Sequence, residues 1–321
     1  MNVFLGIDTS AYTTSVALVS EDTGLLADER IMLRVDLGQR GLRQSDAHFE
    51  HSRNLPSLLE RISPFLKEHH LSAIGVSDRP RRIEDSYMPV FLAGLNTARS
   101  LAAVGGYPLY LLSHQEGHIE AALKGLPLMV PEFLAVHFSG GTSEVLLVKR
   151  DRARYDIKLL LATKDINAGQ LVDRVGVAMG LPFPAGRHME RMARGYRGDL
   201  SIPSAVDAGG FSFSGAETRA SSMLAAGVSP ETVSFLVFQC IANTLEKSLR
   251  AACRDTGVYE VVMAGGVMAN ALIRTRLTER LTGSGIELYW AEPGLSTDNA
   301  VGTAIMARNS YYNERGVIFE R

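Results

Sequence analysis

The chain has 321 residues, of which 46% are hydrophobic, and this length suits two domains that each bury a large core. The formal net charge of -2 excludes a strongly basic protein, so any contact with a nucleic acid must use a local patch. The two cysteines, Cys240 and Cys253, lie on different faces of one helix-like stretch, which indicates reduced thiols. No apolar run is long enough to span a membrane and no charged leader precedes the first strand, so we expect a soluble, cytoplasmic protein.

The first third of the chain predicts strands followed by a helix. Apolar runs separated by polar turns predict three strands, at 2–8, 14–20 and 24–32. Helical spacing of apolar residues then predicts a helix at 55–65, and a short buried strand follows at 73–77. This strand leads into Asp78-Arg79-Pro80-Arg81-Arg82, where the proline cannot continue it. The three arginines form either a charged surface loop or a patch for a phosphate-rich partner.

A pair of histidines follows the next helix and strand, predicted at 90–104 and 108–112. Ser113 is a good N-cap residue, so His114 and His118 fall on the first turns of a helix at i and i+4, where their side chains meet on one face. Two imidazoles in this arrangement suit a divalent cation whose third ligand comes from elsewhere. The alternative is a pair of capping or surface histidines.

The residues between the two histidines argue against a zinc peptidase. The peptidase helix needs a glutamate directly after its first histidine, where this chain has Gln115. Glu116 lies about 200° around the helix from His114, and we expect it to face away from a metal.

Two similar hairpins open the two halves of the chain. Residues 133–148 form an apolar run, the turn Ser139-Gly140-Gly141 and a second apolar run, and residues 4–19 repeat the pattern with one extra residue in the turn. Backbone N–H groups of a glycine turn can close on a phosphate, although many such turns only reverse the chain. The repeat predicts an α/β protein with a duplicated, two-lobed fold that clamps a nucleotide in a cleft, similar to the actin, sugar-kinase and heat-shock ATPase (ASKHA) group.

A carboxylate follows in the second half, within a helix that apolar residues predict at 171–178. Asp173 projects between these apolar residues, and a compact turn with strong stop signals follows at 181–186. Asp173 either holds ribose hydroxyls beside the turn glycine or is a surface aspartate.

The last third contains a further nucleotide-site pattern. Ser229-Pro230-Glu231 begins a long helix that ends near Gly257, and a strand follows at 259–264. Gly265-Gly266 then precedes a helix N-terminus, which favours a phosphate or an adenosine edge, or else permits close packing. After a strand at 286–290, Asp298 either caps the last helix or completes a two-histidine, one-carboxylate set with His114 and His118.

These motifs together resemble a known family. In order, the chain carries HxEGH, SGG, an AG…VDR segment followed by PxG, FSFSG, AGGVxAN and STDNA, spread over nearly its whole length. They are similar to the motifs of the universal tRNA threonylcarbamoyltransferases (TsaD, formerly classed as O-sialoglycoprotein endopeptidases). The resemblance implies the ASKHA fold, and we expect an N-terminal lobe at 1–127, completed by a C-terminal helix at 299–321, and a C-terminal lobe at 128–298.

The resemblance also implies a site and a reaction. A divalent ion, iron or zinc, would be held by His114, His118 and Asp298. An adenine nucleotide, threonylcarbamoyl-AMP or ATP, would contact eight residues: His137, Phe138, Ser139, Gly140, Gly141, Asp173, Gly186 and Asn270. The reaction implied is transfer of a threonylcarbamoyl group from its adenylate to the exocyclic amine of the adenosine beside the tRNA anticodon, with the metal as Lewis acid and clamp. No residue is assigned as catalytic acid or base.

The partners implied by the resemblance are tRNA and two smaller bacterial proteins. One of these is an inactive relative of the same fold (TsaB-like), and the other is a small ATPase (TsaE-like). A homodimer of the chain is also compatible with the sequence.

The chain departs from the family pattern around the nucleotide phosphates. Tyr12-Thr13 replaces an acidic pair, Asp78-Arg79-Pro80 replaces Gly-Pro-Gly, Thr142-Ser143-Glu144 replaces His-Thr-Gln, DINAGQLVDR replaces DDAAGEAFDK, and Glu217 replaces a lysine. Two alternatives to the transferase therefore stay open: a nucleotide- and metal-binding paralogue that acts as a partner or regulatory protein, and a carbamoyltransferase on another acceptor.

Overall fold

The computed structural model describes residues 1–10, 12–35, 42–83, 86–194 and 200–317, and two five-stranded sheets dominate it. In the described segments, no helix is both long and apolar enough to cross a membrane. Cys240 and Cys253 are buried in one helix and form no disulfide, as the sequence predicts.

The first half of the chain forms the first sheet. Its elements are β1 (Asn2–Asp8), β2 (Thr13–Ser20), β3 (Leu25–Met32), α1 (Gln44–Glu68), β4 (His70–Arg79), α2 (Phe91–Gly105), β5 (Leu109–Ser113) and α3 (His114–Leu123). The strand order is β3-β2-β1-β4-β5, with β1 to β3 antiparallel and β4 and β5 parallel to β1. The three strands predicted at the start of the chain are confirmed, each to within one residue at its ends.

The second half repeats this arrangement with additional elements. They are β6 (Glu132–Phe138), β7 (Ser143–Asp151), β8 (Arg154–Ala162), α4 (Ala168–Ala178), α5 (Gly186–Ala193), β9 (Ala205–Asp207), β10 (Gly210–Ser212), α6 (Ser214–Ala225), α7 (Pro230–Thr256), β11 (Glu260–Ala264), α8 (Ala271–Leu281), β12 (Glu287–Trp290) and α9 (Val301–Glu314). The second sheet has the order β8-β7-β6-β11-β12, again with three antiparallel strands followed by two parallel ones. The duplication predicted from the two hairpins is confirmed.

The central strand of each sheet is covered on both faces. In β1 every residue from Val3 on is buried, and the same holds in β6 from Phe133 on. Strands buried on both faces consist of nearly continuous apolar residues, which is the pattern seen in the sequence. Helices α1 and α2 cover the first sheet, and α7 packs on the second.

The last helix and α3 exchange positions between the two sheets. Helix α3 follows the first sheet in sequence, yet its Ile119 and Ala122 lie in an apolar cluster with Phe133 of the second sheet. Helix α9 follows the second sheet but packs on β1 and β4 of the first. The predicted lobe boundaries at 127/128 and 298/299 stay a prediction, and residues 318–321 of the predicted last helix lie outside the described segments.

Two glycines allow α3 and α9 to cross closely. A Cβ on Gly302 would lie 1.9 Å from the carbonyl oxygen of Gly117, and a Cβ on Gly117 would lie 2.9 Å from Oγ1 of Thr303. Any larger residue at Gly302 would push the helices apart. The crossing therefore places the first two turns of α3, which carry His114 and His118, beside the loop that precedes α9.

Candidate metal and nucleotide site

Three predicted ligands converge where α3 meets that loop. The Nε2 atoms of His114 and His118 are 2.9 Å apart, and Asp298 Oδ1 lies 3.7 Å and 3.2 Å from them, respectively. One ligand atom from each residue falls within 4.8 Å of the others. The structure thus brings together residues 180 positions apart in the chain, as a shared cation would require.

The local sequence explains how α3 presents its histidines. Ser113 Oγ accepts a hydrogen bond from Glu116 N (3.2 Å), and Glu116 Oε2 accepts one from Ser113 N (2.8 Å), which is a capping box. The Glu116 carboxylate therefore caps the start of α3 and does not face the two histidines as the glutamate of a zinc peptidase would.

Asp298 does not cap the last helix. The N-cap position of α9 is Ala300, and Asn299 Oδ1 accepts the hydrogen bond from Val301 N at 2.9 Å. The capping alternative for Asp298 is wrong, because the neighbouring asparagine fills that role and leaves the aspartate carboxylate beside the histidines.

A buried aspartate orients the first histidine. Asp8 Oδ2 lies 2.8 Å from His114 Nδ1, and Asp8 Oδ1 accepts hydrogen bonds from Ser10 N (2.9 Å) and Ser10 Oγ (2.5 Å). Burial alone would raise the pKa of Asp8, but the charge and hydrogen bond of His114 hold it well below its ordinary value. A carboxylate on Nδ1 directs Nε2 toward the other ligands, as in the outer shell of many metal sites.

The donor set fits a divalent cation. Two imidazole nitrogens and one carboxylate oxygen are the ligands of many zinc and non-haem iron sites. Burial, together with the charge of His114, lowers the pKa of His118, which favours the neutral imidazole that a metal needs. Burial would also lower the pKa of His114, but Asp8 raises it above its ordinary value.

A third histidine lies next to this set. The ring of His137 is centred 4.4 Å from that of His118, and the side chain is buried. Neither ring nitrogen of His137 has a hydrogen-bond partner among the residues that the structure describes. Burial lowers its pKa well below the ordinary value, so the ring is a neutral, unpaired group at the site.

The site opens into a cleft between the two halves of the chain. A cavity of about 390 Å³ lies elsewhere, between α9 and the β7–β8 turn, whereas the cleft cavity has a volume of about 340 Å³ and reaches the predicted ligands. Both halves line the cleft, with Ser10, Tyr12, Arg81, His114 and Gln115 from the first and His137, Ser139, Gly140, Gly141 and Asp298 from the second. His118 lies behind this surface, beside Asp298.

The glycine turn faces the cleft without obstruction. Nothing lies within 4 Å of the Cβ position of Gly140 or Gly141. Ser139 Oγ accepts hydrogen bonds from Gly141 N (3.2 Å) and Thr142 N (3.1 Å). A phosphate on this turn would have to replace Ser139 Oγ as the acceptor for these two N–H groups.

Asp173 lies in a smaller cavity beside the cleft. This cavity has a volume of about 70 Å³ and shares Tyr12 and Gly140 with the larger one. Asp173 Oδ1 accepts a hydrogen bond from Ala185 N at 2.8 Å, and burial raises the pKa of Asp173 to about 6. Asp173 is thus half-buried rather than the surface carboxylate of the alternative interpretation.

The other residues predicted to contact the nucleotide, Phe138, Gly186 and Asn270, are not among those that line the two cavities. The Phe138 side chain packs in the core against Phe211, so only its backbone can face a ligand. Asn270 Oδ1 accepts a hydrogen bond from Ile273 N and caps α8. Gly186 begins α5 and directly follows Ala185, whose backbone N–H donates a hydrogen bond to Asp173. Gly186 and Asn270 line neither cavity, and their contact with a nucleotide stays a prediction.

Sequence reasoning missed Asp8 and an ion pair across the cleft. Asp8 ends β1, and a carboxylate at the carboxyl end of a strand is a usable signal for a site. Arg81 pairs with Glu144 of β7, and neither residue carries a local pattern that predicts this contact. Arg79 pairs with Asp78, and Arg82 lies 3.9 Å from Glu116, so the predicted arginine patch has carboxylates beside each of its cations.

Comparison with known proteins identifies the family of the chain. Residues 38–305 match the model of the family described as TsaD, tRNA N6-adenosine threonylcarbamoyltransferase. The chain belongs to this family. It is 35% identical over 313 residues to the tRNA N6-adenosine threonylcarbamoyltransferase of Thermus thermophilus, a match that covers 94% of this chain and 91% of the relative. The predicted family and its enzyme class, the acyltransferases, are confirmed.

Solved structures confirm the fold class. Full-length HypF, in its phosphate- and nucleotide-bound form, superimposes with a TM-score of 0.65 at 13% identity, over 96% of this chain and 46% of HypF. A ROK family glucokinase from Streptomyces griseus, in complex with glucose and AMPPNP, gives a TM-score of 0.55 at 12% identity, over 95% of this chain and 99% of the kinase. The chain therefore has the two-sheet ASKHA fold predicted from its repeat.

Proposed function

We propose that this protein transfers a threonylcarbamoyl group from threonylcarbamoyl-adenylate to N6 of the adenosine beside the anticodon of tRNA. Family membership supports threonylcarbamoyl transfer to tRNA in general. The observation that carries the specific proposal is the meeting of His114, Asp298 and the open turn Gly140-Gly141 in one cleft cavity. An adenylate can there place its phosphate between a cation site and the backbone N–H groups of Gly141 and Thr142, for which it would replace Ser139 Oγ as the acceptor.

In this proposal His114, His118 and Asp298 hold one divalent ion, iron or zinc. When bound, the ion supplies Lewis-acid stabilisation to phosphate or carbamoyl oxygens. Asp8 fixes the ring of His114 through Nδ1, and the capping box of Ser113 and Glu116 fixes the helix that carries both histidines. These contacts place the ligand atoms before the substrate arrives.

The protein's own groups would orient the adenylate. The Gly140-Gly141 turn would bind the phosphate. The Asp173 carboxylate, in the adjoining cavity, would accept hydrogen bonds from the ribose hydroxyls. His137 offers a buried acceptor to the bound group. With the adenylate in place, N6 of the adenosine attacks the carbamoyl carbon, the bond from that carbon to the phosphate oxygen breaks, AMP leaves and N6 loses one proton.

The proposed partners follow from the same assignment. The macromolecular substrate is tRNA, and a smaller relative of the same fold and a small ATPase would assist the reaction. Because the chain is slightly acidic, the RNA would have to bind through local patches of arginine or lysine.

Genetic complementation tests the proposal. A strain that lacks its own transferase should regain threonylcarbamoyladenosine in its tRNA when it expresses this chain, and should not regain it with Asp298→Ala. The modified nucleoside is measured by mass spectrometry of digested tRNA. Absence of the nucleoside, with the wild-type chain soluble and metal-loaded, would exclude the transferase function.

One observation favours a second candidate, a nucleotide- and metal-binding paralogue with a regulatory role. Tyr12, which stands where the family pattern has an acidic residue, contacts Phe183 across the small cavity with ring centres 5.4 Å apart. This aromatic contact lies in the cavity that Asp173 and Gly140 also line. This candidate predicts that the purified protein binds metal and AMP but that the complemented strain contains no modified tRNA.

A further inference from the structure

Arg81 is held firmly at the first-half wall of the cleft. Gln115 N donates a hydrogen bond to Pro80 O at 3.0 Å, which ties the loop to the first turn of α3. Arg81 N donates to Ser86 Oγ at 3.0 Å. Two anchors on successive residues fix the backbone from which the guanidinium projects.

The Arg81 side chain reaches across the cleft to the second half. It forms an ion pair with Glu144 of β7, whose side chain is only 2% exposed. Gln115 Nε2 donates a hydrogen bond to the other oxygen, Glu144 Oε2, at 2.9 Å. The Arg81 side chain itself is 36% exposed and lines the cavity together with His114 and Asp298. Glu144 thus orients the guanidinium without removing it from the cleft.

Arg81 supplies the fixed positive charge of this cavity. Among the described residues that line it, Arg81 is the sole arginine or lysine. A guanidinium has five N–H donors in a planar fork, and one carboxylate cannot occupy all of them. Donors therefore remain for an anionic group of a ligand.

The proposed substrate carries two kinds of anionic group, a phosphate and the carboxylate of its threonine. The phosphate already has two partners in the proposed site, the cation and the glycine turn. The threonine carboxylate has neither of these partners. The planar fork of N–H donors on an arginine guanidinium is the best geometric match for a carboxylate.

We propose that Arg81 binds the threonine carboxylate of the adenylate and so determines the acyl specificity, with Glu144 and Gln115 as positioning residues. This inference rests on the proposed transferase function. It assigns a substrate-selecting role to a side chain that lines the same cavity as His114 and Asp298.

Transfer kinetics with two adenylates test the assignment. One is threonylcarbamoyl-adenylate, and the other is its analogue made from threoninol, in which a hydroxymethyl group replaces the carboxylate. In Arg81→Gln, KM for the first should rise about tenfold or more, as for loss of a charge-assisted hydrogen bond, while KM for the analogue stays unchanged. Arg81→Lys should show an intermediate preference because it keeps the charge and loses the fork.

Two further variants guard against a structural effect. The double variant Arg81→Gln/Glu144→Gln removes the buried charge that the single variant leaves unpaired, and it should show the same loss of preference. The control is Arg82→Gln, because Arg82 is half-exposed and lies outside the cavity lining. It should retain the wild-type preference.

Equal losses with both adenylates, or an unchanged preference, would overturn the assignment. Weaker tRNA binding with an unchanged preference would assign Arg81 to the RNA backbone instead, and would overturn it too. If the wild type transfers from neither adenylate, the proposed function fails. Calorimetry with N-carbamoyl-L-threonine then decides on Arg81 alone: binding lost in Arg81→Gln supports the inference, and equal binding contradicts it.

Discussion

At the scale of single residues, the sequence predicts the candidate metal ligands better than the residues that orient them. Spacing places His114 and His118 on one helix face, and the motif resemblance adds Asp298. Asp8 escapes prediction because its contact with His114 spans 106 residues and depends on how the strand ends meet α3. The ion pair of Arg81 with Glu144 escapes it for the same reason, since it forms only when the two halves of the chain come together.

The support from Asp8 gives a testable prediction. His118→Ala should lose stoichiometric metal, and Asp8→Asn should weaken metal affinity by roughly 10–100-fold, as outer-shell changes do elsewhere. Metal content and affinity are measured by elemental analysis and competition with a chelator. Asp207→Asn is the control, because Asp207 is an exposed carboxylate paired with Lys164. If His118→Ala keeps its full metal content and circular dichroism shows an intact fold, the assignment of His114, His118 and Asp298 as the metal ligands is contradicted.

The burial of Asp173 predicts a pH-dependent stability difference. Its folded pKa of about 6 lies above the ordinary value of 3.8, so its stabilising contribution is complete below pH 3.8 and is lost as pH rises through 6. The free energy of unfolding of Asp173→Asn, relative to that of the wild type, should therefore increase by about 2 kcal/mol between pH 4 and pH 7. Urea unfolding at both pH values measures this change.

The exposed Asp156 provides the control for that experiment. Asp156→Asn should differ from the wild type by the same amount at pH 4 and pH 7. A difference for Asp173→Asn that also stays constant with pH would show that burial does not raise the pKa of this half-buried carboxylate.

At the scale of elements, hairpins are predictable and helix packing is not. The strands of both hairpins follow from apolar runs and turn residues that are local in sequence. Helix α1 begins at Gln44, eleven residues before the predicted start, because its first turns are mostly exposed and carry no apolar period. The crossing of α3 with α9 has no periodic signal at all, since it depends on Gly117 and Gly302 in distant helices.

The glycine crossing can be tested by adding a methyl group. Gly302→Ala should destabilise the protein by about 1–3 kcal/mol and weaken metal binding, because the added Cβ would lie 1.9 Å from the Gly117 carbonyl oxygen and would push α9 and Asp298 away. Gly215→Ala, at an open position in α6, should be neutral or slightly stabilising. Thermal unfolding and metal titration check both variants. A Gly302→Ala protein with wild-type metal affinity would show that the crossing does not set the site.

At the scale of the whole molecule, the repeated hairpin predicts the duplicated fold, and the two sheets with matching strand order confirm it. The cleft between the halves could be expected from that fold, but its lining could not. Tyr12 and Arg81 line it, and the buried Glu144 pairs with Arg81. All three residues occupy positions at which the chain departs from the family pattern or follows such a departure. The cleft thus combines the candidate metal ligands with residues at which this chain departs from the family pattern.

The most direct test is a single-turnover assay of the purified, metal-loaded chain with threonylcarbamoyl-adenylate, tRNA and its partner proteins. With the wild type, N6-threonylcarbamoyladenosine should form in the tRNA, and with Asp298→Ala, folded and without its metal, none should form. Equal product from both proteins would contradict the claim that the cation site in the cleft is where the transfer takes place.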